Sequence, residues 1–198
     1  MQQLAIHGGD PVRNTYLPYS RQTITKDDKK AVLDALDSDW VSGRGPICAK
    51  FEEALREYTG YRYCVVVNSG TAALHALYDY YKHLSDDLVL TSPLTFVATV
   101  NTALMAGIRN IRLGKIHEGS YNVIDDRPEY AKTLFVPVSY AGYPVGYSED
   151  SRTFADNCHY LRRSMANYSP RSCALSFHAV KNITTGEGGA ILTDLEDI

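Results

Sequence analysis

From residue 63 onward the chain alternates short apolar runs with helical patterns, and few folds accept that order. Tyr63-Cys64-Val65-Val66-Val67 is a β-branched run ending in Asn68-Ser69-Gly70-Thr71, and Ala72, Ala73, Leu74, Ala76 and Leu77 follow directly as a helix. Leu88-Val89-Leu90 is the next strand, and 96–105 reads as another helix, closed by Gly107. Further strands are expected at 108–113, 134–138, 152–155, 173–177 and 190–193. Apolar strands alternating with helices imply an α/β fold, a mostly parallel seven-stranded sheet with helices on both faces. Two stretches strain that pattern. The 139–151 segment barely reaches the length of about 10–12 residues that a parallel crossover needs, and its Pro144, Gly142 and Gly146 leave no good helix in it. The 114–132 segment is also poor in helix signals, so the layers covering the sheet are expected to be thin there.

Before the alternation, residues 1–24 are irregular, with Gly8-Gly9, Pro11 and Pro18. Thr25-Lys26-Asp27-Asp28 has the form of a helix start, a threonine cap with acids in the first turn. Val32, Leu33, Ala35 and Leu36 follow at helical spacing. A second helix, roughly 48–59, carries Phe51, Ala54, Leu55 and Tyr58 on one face and stops at Gly60. The expected division is an N-terminal arm with helices over 1–60 and a large domain over 61–198, the two forming one structural unit. With 198 residues, 44% of them hydrophobic, there is enough chain for a real core.

The net charge of -3 gives no general attraction to nucleic acid or to an anionic membrane. Arg152, Arg162, Arg163 and Arg171 make the C-terminal third locally basic and read as a solvated face. The cysteines, Cys48, Cys64, Cys158 and Cys173, contain no C-x-x-C pair. They read as buried free thiols in a reducing cytoplasm rather than as disulfides or metal ligands. The first residues lack the layout of a signal peptide, and no apolar run approaches the length of a membrane span.

Ligands of open α/β sheets bind at the carboxyl ends of the strands. Reading off those ends gives a short set, each member of which also has an ordinary explanation. Ser69, Gly70 and Thr71 offer backbone N–H groups, two hydroxyls and a helix N-terminus to a phosphate, and serve equally as a plain helix cap. They form neither a P-loop nor a G-x-G-x-x-G fingerprint. Phe96 follows the second strand and can stack on a planar ring, although a single phenylalanine is usually core. Asp156, followed by Asn157, Cys158 and His159, ends the fifth strand, where an acid more often caps a helix. Ser176, His178 and Lys181 follow the sixth, where a lone lysine is usually solvated. Together these residues supply a phosphate cradle, a ring face, an acid and an amine. Pyridoxal phosphate needs that set: a phosphate site, a ring platform, a carboxylate for the pyridinium nitrogen and a Schiff-base lysine.

Ser176-Phe177-His178-Ala179-Val180-Lys181-Asn182-Ile183-Thr184-Thr185-Gly186-Glu187-Gly188-Gly189 closely resembles the lysine motif of the DegT/DnrJ/StrS-type sugar aminotransferases, which are fold-type I pyridoxal-phosphate enzymes. Other parts of that family's pattern stand in the same order. Asn68-Ser69-Gly70-Thr71-Ala72-Ala73-Leu74 is similar to its phosphate turn, and Thr95-Phe96-Val97-Ala98-Thr99 to its ring-stacking segment. Asp156-Asn157-Cys158-His159 stands where the family has an acid followed three residues on by His or Gln. Trp40-Val41-Ser42-Gly43, Gly45-Pro46 and Phe51-Glu52 match its N-terminal region. The resemblance runs from about residue 17 to the end of the sequence.

It implies the large domain of an aspartate-aminotransferase-like fold, with that family's C-terminal small domain absent from this sequence. It implies pyridoxal phosphate held through a Schiff base on Lys181, which then serves as general base and acid. Asp156 would pair with the pyridine nitrogen, His159 would lie near the phenolic oxygen, and Phe96 would face the ring. Ser69, Gly70, Thr71 and Ser176 would hold the phosphate. The catalytic set is thus Lys181, Asp156 and His159. The implied reaction is amino transfer from glutamate to a nucleotide-linked 4-keto-6-deoxy sugar for amino-sugar biosynthesis, in a cytoplasmic homodimer. The nearest likeness is to C4 aminotransferases of UDP-linked 4-keto-6-deoxy-hexosamines. A dehydratase branch carries histidine in place of the lysine, so Lys181 favours transamination. His178 has no role assigned. The alternatives are a compact cofactor- or sugar-nucleotide-binding domain without turnover, and an ordinary nucleotide-binding α/β domain, against which the missing glycine fingerprint speaks.

Overall fold

The computed structural model describes residues 3–86, 88–127, 132–145, 150–163, 165 and 170–198. All seven expected strands form: β1 (Tyr63–Val67), β2 (Leu88–Thr91), β3 (Asn110–Leu113), β4 (Thr133–Val136), β5 (Ala155–Asp156), β6 (Ser172–Ser176) and β7 (Gly189–Thr193). β2 lies between β3 and β4 and is parallel to both. β5 pairs parallel with β6, and β7 runs antiparallel between β6 and β1. Parallel bridges from Phe135 to Thr153 and from Val138 to Asp156 join β4 to β5. The order across the sheet is therefore β3-β2-β4-β5-β6-β7-β1. The sheet is mostly parallel, as the alternation implies, with β7 as the exception.

The fifth strand is shorter and later than the expected 152–155. Local turn chemistry draws the Arg152 N–H away from the sheet: that N–H and the guanidinium both donate to Asp150, at 2.9 and 3.2 Å, while the Arg152 carbonyl still accepts from the Phe135 N–H at 2.9 Å. Arg152 is half-buried in that pairing, which corrects its reading as part of a solvated face. Arg162, Arg163 and Arg171 lie on the exposed side as expected. Residues 146–149 of the strained crossover fall outside the described part. Its described portion holds one short 3-10 turn, Tyr140–Gly142.

The helices are α1 (Lys26–Leu36), α2 (Pro46–Thr59), α3 (Gly70–Tyr81) and α4 (Ala98–Met105). α2 starts two residues before the expected 48, because Pro46 at the first helical position loses no hydrogen bond there. α4 begins at Ala98 rather than at 96, leaving Phe96 in the preceding loop. Thr25 and Asp28 form a reciprocal capping box at the start of α1.

Alternate strand residues go to opposite sides of the sheet. Val89, Leu134, Val136, Ala174 and Ile191 pack under α3 and α4. Cys173, Leu175, Ala190 and Leu192 pack on the other side with Leu55 and Phe51 of α2. Beside them Leu90 and Phe135 pack with Val123 and Ile116, which sit on a small irregular hairpin closed by an Ile116–Val123 bridge, and the Arg127 guanidinium lies 4.8 Å from the centre of the Phe135 ring. Among the described residues that is the thin layer expected over 114–132, of which 128–131 fall outside the described part. Cys64 and Cys173 are buried, whereas Cys48 and Cys158 are only partly so, and all four are free thiols.

α1 departs from the usual amphipathic helix. Its apolar stripe of Val32, Leu33 and Leu36 is about 60% exposed, and no residue of the helix is buried. No helix among the described residues is long and apolar enough to cross a membrane.

Candidate active site

The carboxyl ends of β1, β2, β5 and β6 open onto one cavity of about 710 Å³. Ser69, Gly70, Thr71, Phe96, Asp156, His159, Ser176 and Lys181 all line it. Residues spread over more than a hundred positions are brought to one wall.

The turn after β1 is held in place from beneath. Ser69 caps α3 by accepting from the backbone N–H of Ala72 at 3.1 Å, so the plain-cap reading is true of its hydroxyl. The first N–H groups of a helix have no partner within it, and the residues that carry them here, Gly70 and Thr71, line the cavity. Two glycines make this possible. A Cβ on Gly70 would lie 2.8 Å from both Cys158 Sγ and Ser176 Cβ. A Cβ on Gly189 would lie 2.6 Å from the backbone nitrogen of Gly70 and closer still to the Ser69 carbonyl. The turn therefore rests directly on the starts of the connections from β5 and β6 and on the first residue of β7. The approach leaves no room for a side chain below an anion seated on those N–H groups.

Asp156 is 4% exposed and caps no helix. Its Oδ2 accepts from Thr99 Oγ1 at 2.6 Å and its Oδ1 from the backbone N–H of Cys158 at 3.1 Å. Burial and this neighbouring carboxylate push the Cys158 thiol well above its ordinary value, so the sulfur stays protonated and is no nucleophile. His159 is half-buried, with its ring 5.8 Å from that of Tyr140. Its Nδ1 accepts from the backbone N–H of Ala141 at 3.3 Å, which places the proton of the neutral ring on Nε2. The donor is supplied by a strained turn, for Ala141 has φ 52°, left-handed backbone that a side chain disfavours.

Burial, with the charge of Lys181 second, lowers the His159 pKa from its ordinary 6.5, and Asp156 opposes them. A lowered imidazole lets the unfolded chain take up the proton first. Stability is then complete above pH 6.5 and falls as the pH drops from there towards the lower folded value. His159→Gln is expected to lose less thermal stability than the parent between pH 7 and 5. Melting curves of the two proteins that stay parallel across that range would refute the assignment.

Phe96 is 66% exposed at the cavity rim, so the core reading fails and a platform remains. Lys181 sits in the hairpin between β6 and β7. Its neck is tied by a Phe177 N–H to Gly188 carbonyl bond of 2.8 Å, and the Phe177 carbonyl accepts from Thr185 N–H and Thr184 Oγ1. The Phe177 ring is buried edge-on against Phe51 of α2 at 5.1 Å. Gly186, at φ 83°, makes the return turn. The tip carries the lysine, and the neck is fixed to the core.

Several residues at this wall escape a sequence reading. Thr99 contacts Asp156, and Thr95 contacts Thr99 at 2.6 Å. Two threonines four apart where a strand gives way to a helix are the signal that was there to find. Tyr19 of the N-terminal arm also lines the cavity, and Ser20 Oγ reaches the Val180 carbonyl at 3.4 Å. Irregular chain carries no period that would predict such a crossing. His178 and Glu187 line the same cavity, with Nε2 and Oε1 3.6 Å apart.

Residues 22–130 and 154–198 match the model of the DegT/DnrJ/EryC1/StrS aminotransferase family. The chain belongs to that family. A UDP-4-amino-4,6-dideoxy-N-acetyl-beta-L-altrosamine transaminase of Helicobacter pylori is 35% identical over 196 residues, which span 89% of this chain and 51% of that protein. Among solved structures, Helicobacter pylori PseC, an aminotransferase involved in the biosynthesis of pseudoaminic acid, superposes with TM-score 0.78 at 32% identity. The match takes in 91% of this chain and 53% of PseC. Spr1654 from Streptococcus pneumoniae, solved in a PLP form, superposes with TM-score 0.80 at 25% identity, over 91% of this chain and 55% of its own. Aminotransferases of this family thus share the sheet on which the cavity is built. The chain spans about half the length of the curated relatives it matches.

Proposed function

We propose that this chain is the pyridoxal-phosphate-binding large domain of a sugar-nucleotide aminotransferase. The observation that carries the reading is the convergence of Lys181, Asp156 and the 69–71 turn on one cavity wall. The residues fit the cofactor on their own terms. The turn presents helix N–H groups over two side-chain-free positions, and a buried carboxylate faces the same space as an amine and an exposed aromatic ring. Bound pyridoxal phosphate would supply an electron sink for cleavage of a C–H bond.

The chain's own residues do the rest. The N–H groups of Gly70 and Thr71, with Ser69 and Ser176, would hold the phosphate. Phe96 would cover one face of the ring and limit water there. Asp156 Oδ would hold a proton on the pyridine nitrogen, and His159 Nε2–H would donate towards the phenolic oxygen. Lys181 Nζ would anchor the cofactor covalently. Once free, its amine would be placed to take up the proton lost from the donor carbon and to give it back two bonds away, across the nitrogen.

Glutamate as donor, a nucleotide-linked 4-keto-6-deoxy sugar as acceptor and a cytoplasmic homodimer complete the proposal. The relatives' transaminase chemistry supports it, as do the motifs around Lys181. The arm and helices over 1–60 act as one structural unit with 61–198, a division that the packing of α2 on the sheet supports.

The test is direct. Protein mixed with pyridoxal phosphate should gain a visible absorbance band, and borohydride should fix the cofactor on the peptide containing Lys181. Lys181→Ala should show neither. Labelling elsewhere, or none, would sink the reading. A label on Lys181 with no spectral response to glutamate would favour cofactor holding without turnover. Sedimentation of the loaded protein as a stable monomer would remove the homodimer.

A further inference from the structure

Asp156 is held by more than its own strand. Thr99 Oγ1, on the first turn of α4, is fully buried and lies 2.6 Å from Asp156 Oδ2, 2.6 Å from Thr95 Oγ1 and 3.2 Å from the Phe96 carbonyl. A threonine hydroxyl has one hydrogen to give. An ionised carboxylate cannot donate, so the short contact to Asp156 takes that hydrogen, and the contact to Thr95 must be donated by Thr95. The result is a directed chain, Thr95 O–H to Thr99 O–H to Asp156 Oδ2. The other carboxylate oxygen is fixed by the Cys158 N–H at 3.1 Å. One clamp comes from α4, above the end of β2, and the other from the residues that follow β5. The plane of the carboxylate is therefore set by two elements at once. Thr95 stands at the cavity wall, so the chain begins where a ligand would sit.

We propose that Thr99, backed by Thr95, is a positioning residue that orients the Asp156 carboxylate towards the pyridine nitrogen of the bound cofactor. The proposal rests on the cofactor reading given above. Removing the donor takes away one of the two clamps on the buried carboxylate, which is then free to rotate about the other. That rotation weakens its hold on the proton of the pyridine nitrogen. The ring then withdraws fewer electrons, and the lysine-linked nitrogen keeps its own proton to higher pH.

Thr99→Val removes the hydroxyl at nearly constant volume, and Thr99→Ser restores it. Each variant is loaded with pyridoxal phosphate, and the pH titration of the visible band is followed together with cofactor affinity and the rate of the spectral change with glutamate. Thr99→Val should raise the midpoint of the titration by about one unit and slow the glutamate half-reaction about tenfold. Its cofactor affinity should change far less, because the phosphate turn is untouched. Thr99→Ser should return both values to those of the parent. Thr95→Val keeps the Thr99 donor and should shift the midpoint in the same direction by less, which provides a second reading if Thr99→Val folds poorly. Titration curves for Thr99→Val and Thr95→Val that superpose on the parent overturn the proposal. A parent chain that places no label on Lys181 overturns the cofactor reading and this proposal with it. A labelled parent with unshifted variants overturns this proposal alone.

Discussion

Asp156→Asn is expected to fold, to bind pyridoxal phosphate and to place the borohydride label on Lys181, yet to run the glutamate half-reaction about 10²–10³-fold more slowly. The amide is nearly isosteric with the carboxylate and still offers an oxygen to Thr99 or to the Cys158 N–H, so the 4% exposed site keeps its packing. What it loses is a negative charge within reach of the ring. Charge stabilisation in a water-poor site costs no reorganisation at the moment of reaction, which is why its loss appears in rate rather than in affinity. Stopped-flow absorbance after mixing loaded protein with glutamate measures this. A rate within a factor of about three of the parent would remove Asp156 from the chemistry and leave it a structural acid.

The second large effect is expected at Gly189→Ala. The new methyl group would meet the Gly70 nitrogen at 2.6 Å, and backbone cannot swing aside as a flexible side chain can. Either the 69–71 turn lifts or β7 withdraws from its partners on both sides. Forced overpacking of this kind destabilises by about 1–3 kcal/mol. The turn is the proposed phosphate seat, so cofactor affinity should fall about tenfold or more, for even a small displacement misaims helix N–H donors. Gly43→Ala is the control, since nothing lies within 4 Å of a Cβ there. Equilibrium dialysis of the two variants separates the outcomes. Equal affinities would mean that the turn adjusts freely and is not the seat.

These two residues also mark how far the sequence can be read. Asp156 was legible because it ends a strand, and strand ends follow from hydrophobic alternation and the grouping of β-branched residues. The same logic located the 69–71 turn, Phe96, Ser176 and Lys181, and the lysine motif supplied the family. Gly189 stood in that motif without a reason, because its role depends on how near a different strand comes in space. Nor does periodicity report direction: an apolar run of five residues looks the same whether it runs up or down the sheet, so the reversal of β7 is not visible in it. The hydroxyl chain through Thr95 and Thr99 depends on the packing of α4 over β5, a long-range contact with no local signature. Boundaries slipped where side chains competed with the ladder, as at Arg152 and Asp150. The stripe of α1 was correctly periodic but is exposed among the described residues, since period reports a face and not what covers it.

The reversal of β7 has a mechanical consequence. Were β7 parallel to β6, the segment carrying Lys181 would begin an excursion across one face of the sheet, and the lysine would ride on whatever that excursion packed against. Instead β6 and β7 are adjacent and hydrogen-bonded along five paired residues, and Lys181 sits on the bend between them. A pull on its side chain is passed at both ends into the interior of the sheet, and the bend can flex only about a fixed base. The amine can swing away and return while its point of attachment stays put, much as a latch turns on a mounted pin.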